Sequence, residues 1–145
     1  MDKKTIGIIV AYTLIMTALL LVTFAGNWNP SGYDYTIDNQ TVTIEKGTEQ
    51  WEVDVSDKQP DAFRFYVALS EERQQWRTDI TAIALLLPFL LLIAVPERRP
   101  FKNMVPKKWY MLIVLAIAVI YVVYSLSFHV EQIGEIQRLV EQLRE

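Results

Sequence analysis

Carboxylates come nearest to chemistry in this 145-residue chain. Asp34, Asp38, Asp54, Asp57 and Asp61 crowd one stretch, and hard cations such as calcium are held by carboxylate oxygens. A calcium loop, however, sets its ligands at alternate positions around a glycine, and no such loop occurs here. Glu45 with Glu49, or Asp54 with Asp57, has the spacing of an acid–base pair. Such a pair needs a pocket and a nucleophile, water or histidine within hydrogen-bond reach. The single histidine, His129, excludes multi-histidine metal sites. Cysteine is absent, which removes disulfides, thiolate ligands and thiol catalysis. The five glycines form no phosphate-cradling loop. Asn39-Gln40-Thr41 matches the acceptor triplet for N-glycosylation, a common pattern that also reads as a turn. The expectation is a chain with no catalytic, cofactor-binding or metal-binding residue, hence no enzyme.

The cations are sorted more tellingly. Arg98, Arg99, Lys102, Lys107 and Lys108 share the twelve-residue segment 97–108 with only Glu97 against them. Residues 27–78 carry ten acidic side chains against five basic ones, and residues 129–145 carry four against two. Short loops rich in Lys and Arg stay cytoplasmic in membrane proteins. The same five cations have the chemistry to hold anionic lipid headgroups at the inner face.

Three apolar runs must position these residues. Residues 5–25 carry no charge, and at about 1.5 Å per residue they cross a hydrocarbon core of about 30 Å. That run exceeds the roughly 7–15 residues of a signal-peptide core, so a retained span is expected. Residues 80–95 reach only about 24 Å; a second span over 79–96, with Trp76 at headgroup level and Arg77 and Asp79 reaching for water, closes the gap. Within it Pro88 frees the carbonyl of Ala84, which membrane helices tolerate. Residues 109–128 form the third uncharged run. Trp28, Trp76, Trp109 and Tyr110 are the expected membrane-interface anchors. Gly7 with Ala11, Thr13 with Thr17, and Tyr121 with Tyr124 offer faces for helix packing. No charge lies at the centre of a span, which argues against an autonomous pump. With Lys3, Lys4 and the basic loop inside, residues 1–4 and 97–108 are cytoplasmic, while 26–78 and 129–145 are outside. The pattern is that of a bacterial cytoplasmic membrane protein.

The outer segments alternate like strands. Tyr33, Tyr35 and Ile37 share a face, as do Val42 and Ile44, then Trp51, Val53 and Val55, then Phe63, Phe65 and Val67. Lys46-Gly47 and Lys58-Gln59-Pro60-Asp61 read as turns. Three or four antiparallel strands result, too few to stand uncovered. Ser70-Glu71-Glu72 reads as the start of the second helix, coupling the sheet to a span. In the tail, Ile133, Ile136, Val140 and Leu143 recur at coiled-coil spacing, and an isolated helix that short needs something to dock on.

The expected fold is therefore a mainly α membrane protein. It has three transmembrane helices, a small antiparallel β ectodomain between the first two, and a C-terminal amphipathic helix. The function this favours is that of a non-enzymatic accessory or assembly subunit of a larger membrane complex. Ile133, Ile136, Val140, Leu143, Trp51, Phe63 and Phe65 form its partner surface, meeting other membrane subunits or a second copy. The bilayer is its other partner, and nucleic acid is not one. A membrane-anchored sensory or ligand-binding module is the alternative, and a homo-oligomeric pore a further one.

Overall fold

The structure, a computed structural model, describes residues 2–145. Asp2 caps α1 (Lys3–Leu20), its Oδ1 accepting from the Thr5 backbone N–H at 2.8 Å, which satisfies one of the helix's orphan donors. The helix continues as a π turn, Leu21–Ala25, and stops where the Gly26 N–H returns to the Leu21 carbonyl. A Cβ on Gly26 would lie 2.8 Å from the Val22 carbonyl oxygen, so a larger residue would force this turn apart.

Three strands follow, β1 (Tyr33–Asp38), β2 (Thr41–Lys46) and β3 (Glu49–Asp54), antiparallel in the order β1-β2-β3. Two-residue turns join them, with Asn39 at φ +56° and Gly47 at +61°, conformations that Asn and Gly accept at least cost. The expected fourth strand is not a strand. Phe63, Phe65 and Val67 lie in α2 (Gln59–Leu91), and Ser70-Glu71-Glu72 falls inside that helix instead of starting it. The physical reason is the period of burial. Ala62, Phe65, Ala68 and Leu69 are buried while Phe63 is 66% exposed, the 3.6-residue pattern of a helix. Pro60 and Asp61 occupy the first turn, where proline's missing N–H costs nothing and an acid suits the helix dipole.

A short 3₁₀ turn, Pro96–Arg98, leads through the linker to α3 (Lys107–Arg144), 38 residues without a break. The tail is thus the end of a long helix and not a separate one. The chain divides into two units: residues 2–27 with Thr78–Ser125, and Trp28–Arg77 with Leu126–Glu145.

In the second unit, here the sheet unit, the sheet supplies Tyr33, Val42, Ile44, Val53 and Val55 to one core. From α2 come Ala62, Phe65, Ala68 and Leu69; from α3 come Ile136, Leu139, Val140 and Leu143. Each large apolar side chain so buried contributes roughly 1.5–3 kcal/mol. The thin sheet is thereby covered by its own chain. Lys58 Nζ donates to the Leu143 carbonyl at 3.1 Å, capping the last turn of α3 with a cation.

The first unit, the helical unit, holds all or part of two helices long and apolar enough to cross a membrane, Lys3–Ala25 and Lys107–Arg144. Only 11% of the residues in each apolar window are buried, so these side chains face outward. The run at 80–95 does not make a third such helix, because α2 ends at Leu91 and leaves too short an apolar stretch. Beyond it the chain turns and bends over residues 92–95, where Ile93, Ala94 and Val95 donate to the carbonyls three residues back.

Those turns and Pro88 each release a carbonyl, and a tyrosine meets each one. Pro88 has no N–H to give the Ala84 carbonyl; Tyr12 Oη of α1 donates to it at 3.1 Å. Ile93 N–H turns to Leu90, and Tyr110 Oη of α3 donates to the Phe89 carbonyl at 2.8 Å. At the linker end, Lys4 pairs with Glu97 at 3.0 Å and Arg98 with Asp2 at 2.8 Å.

Truncating Phe65 to Ala should cost about 3–5 kcal/mol of stability, as large-to-small core changes do. Phe63→Ala should stay within about 0.5 kcal/mol, as exposed positions do. Denaturant unfolding of the full chain in detergent measures both. Equal losses at the two positions would restore the strand and remove the helix.

Candidate functional site

Polar residues recur on two helices at helical spacing. On α2 they are Glu72, Gln75 and Asp79; on α3 they are Tyr121, Ser125, His129 and Gln132. Glu72, Gln75, Asp79, Ser125 and His129 are all buried. Within the sheet unit, His129 Nδ1 lies 2.5 Å from Glu72 Oε1, and the Glu72 side chain is fully buried. Gln132 Nε2 donates to Glu71 Oε2 at 2.9 Å beside it. Trp28 and Trp76 meet edge to face at 5.0 Å. Within the helical unit, Tyr121 Oη donates to Asp79 Oδ1 at 2.6 Å.

A carboxylate that orients an imidazole is half of a general-base device. Buried this deeply, the pair is closed to a substrate, and its chemistry is that of a clamp between α2 and α3. A buried carboxylate–imidazole pair holds one geometry because either group left alone is costly in low dielectric. Sequence reasoning missed it. The available signal was the helical spacing of Glu72, Gln75 and Asp79 along the stretch read as the start of the second helix.

The other sequence candidates have separate places. Asp34 pairs with Arg73. Asp54 Oδ1 accepts from the Ser56 backbone N–H at 2.9 Å; that bond and the Ser56 hydroxyl hold its carboxyl below the usual range. Glu49 lies across the ladder from Lys46, and Glu45 opposite Gln50, so these acids form no carboxylate pair. Among the described residues no group of three or more potential ligands is arranged to hold a metal ion.

The expected partner surface is divided. Phe65, Ile136, Val140 and Leu143 lie in the core of the sheet unit, and Ile133 is half-buried. Trp51 packs against that core, with the Arg144 guanidinium 4.5 Å from its ring centre. These side chains serve the chain's own folding, which is the docking that the tail required. Phe63 alone remains outward, 66% exposed, beside Ile37 at 52% and Val67 at 40%. Two open clefts flank it, of about 270 and 310 Å³. Beneath, Tyr66 stacks on Tyr35 at 4.6 Å, and burial, then the neighbouring phenol, raises the Tyr66 pKa.

Of the linker cations, Arg98 is committed to Asp2 and Arg99 to the linker's own carbonyls. Thr5 first, then Arg98, holds the Asp2 carboxyl well below the usual carboxylate range. The Glu97 carboxyl is lowered by its own backbone N–H and then by Lys4. Lys102, Lys107 and Lys108 are exposed. Trp109 is 57% exposed, while Tyr110 is buried.

No protein-family model, no curated protein and no solved structure matches the chain.

Removing one partner of the Glu72–His129 pair should cost about 3–5 kcal/mol. Replacing both by leucine should cost much less than the sum of Glu72→Leu and His129→Leu. A double-mutant cycle on unfolding in detergent measures the coupling, and additive losses would dissolve the clamp.

Proposed function

We propose that the chain is an integral membrane protein with three crossings and its amino terminus in the cytoplasm. In this arrangement it acts as a non-enzymatic accessory subunit of a larger membrane assembly. Support for the crossings comes from the shared core of the sheet unit. Strands before Arg77 and helix residues after Leu126 bury their side chains together, so the chain between them must leave and return on one side. If the outward-facing apolar window of α3 crosses, the run at 80–95 crosses with it. Residues 79–91 span roughly 20 Å as α-helix, and the turns over 92–95 with the flanking polar residues add to that reach toward the hydrocarbon thickness of about 30 Å. Backbone groups in lipid need partners, and the tyrosine bonds to Ala84 and Phe89 supply them.

Orientation follows from Lys3, Lys4 and the basic linker, since such segments stay inside. The sheet unit and the end of α3 then lie outside. With the tail committed to its own core, partner contact falls to the surface around Phe63. An exposed aromatic between clefts, rimmed by Arg64, Glu71, Gln132 and Glu135, has the composition of a protein-binding anchor with a polar rim. That exposed Phe63 is the observation that carries the subunit reading.

Extraction in mild detergent followed by mass spectrometry of intact complexes should recover other membrane proteins at fixed stoichiometry. Phe63→Glu should abolish that recovery and leave the chain folded. A bare monomer, or recovery unchanged by Phe63→Glu, would reject the subunit reading in favour of a ligand-binding module.

A further inference from the structure

The helical unit holds an apolar groove of about 240 Å³ that none of the contacts described so far explains. Its walls are Leu86 and Phe89 of α2, Pro100, Phe101 and Val105 of the linker, and the first turns of α3. The one polar group among these side chains, the Tyr110 hydroxyl, is spent on the Phe89 carbonyl. The groove therefore offers no hydrogen bond and suits a hydrocarbon occupant.

Its linker wall is built and not slack. Arg99 Nη1 donates to the Pro96 carbonyl at 2.8 Å, and Nη2 to the Lys102 and Val105 carbonyls, each at 3.4 Å. The Phe101 carbonyl accepts from Met104 and Val105 N–H at 2.9 and 2.8 Å. Phe101 itself sits at φ +58°, a region disfavoured for a bulky L-residue. The turn holds it there, with Phe101 66% and Met104 80% exposed. Apolar side chains held out this far beside a basic segment match an inner-leaflet boundary.

Charge complementarity selects the kind of hydrocarbon. Lys102 follows Phe101 directly, and Lys107 and Lys108 lie between Val105 and Tyr110, so cations flank three wall residues in the chain. All three lysines are exposed, and no carboxylate pairs with them among the described residues. Arg98 and Arg99, by contrast, are already engaged. We propose that the groove seats an acyl chain of one anionic phospholipid of the inner leaflet, with its headgroup held by Lys102, Lys107 and Lys108. Clustered basic residues at the cytoplasmic boundary attract anionic headgroups, and the adjoining groove converts that attraction into a site for one lipid.

This proposal rests on the membrane arrangement above, and the test separates the two. Resistance to alkaline carbonate extraction scores insertion. The full-length protein is then moved into nanodiscs of equal phosphatidylglycerol and phosphatidylcholine, and retained lipids are counted by native mass spectrometry. The expected result is one retained phosphatidylglycerol, preferred over phosphatidylcholine by about tenfold or more. Lys102→Gln/Lys107→Gln/Lys108→Gln should bring that preference near one, whereas Ile113→Trp should fill the groove and lose both lipids. An extraction-resistant protein with no retained lipid, no preference, or variants that behave as the parent would overturn the site. Loss from the membrane on carbonate treatment would overturn the arrangement and the site together.

Discussion

A carbonyl without a donor is tolerable in water and expensive in hydrocarbon, and the second half of α2 creates two of them. Pro88 releases Ala84, and the tightening after Leu91 releases Phe89. Tyr12 from α1 and Tyr110 from α3 reach these two oxygens. Those two bonds do more than satisfy the backbone. They tie α1 and α3 to the same short helical stretch, which ends at Leu91. The groove and its linker wall lie around the segment that follows the end of α2.

The sheet unit answers a different constraint. Three short strands bury too little apolar surface to stand alone, and a chain without cysteine cannot staple them. The solution is internal: α2 covers the sheet with Phe65 and Leu69, and α3 closes the core with Ile136, Leu139, Val140 and Leu143. Glu72 and His129 add a directional contact between these helices, where apolar packing alone would permit slippage. Of the seven residues expected to meet a partner, Phe63 is the one left outward.

Much of this was legible in the residues, and what was not has a common cause. Alternation marked Val42, Ile44 and Val53 correctly because a half-buried strand repeats every second residue. The stretch at Phe63, Phe65 and Val67 carries apolar side chains at both periods, so spacing alone did not decide it; Pro60 with Asp61 was the better sign of a helix start. In the tail, Ile136, Val140 and Leu143 were read as a narrow seam, and Leu139 widens it to the stripe of a helix packed on a core. The released Ala84 carbonyl was visible from Pro88, but its donor lies 72 residues away. The partner of His129 lies 57 residues away. Local pattern shows which groups have a need, and only the fold shows what meets it.

The cysteine-free chain permits the most direct test of the three-crossing arrangement. Single cysteines at Asp57, Lys102 and Glu145 would be probed in intact cells with a membrane-impermeant maleimide. The account predicts labelling at Asp57→Cys and Glu145→Cys, and protection at Lys102→Cys until the membrane is opened. Labelling of Lys102→Cys together with protection of Glu145→Cys would mean that the run at 80–95 does not cross. The sheet and the tail would then lie on opposite sides, and the shared core could not exist in the membrane.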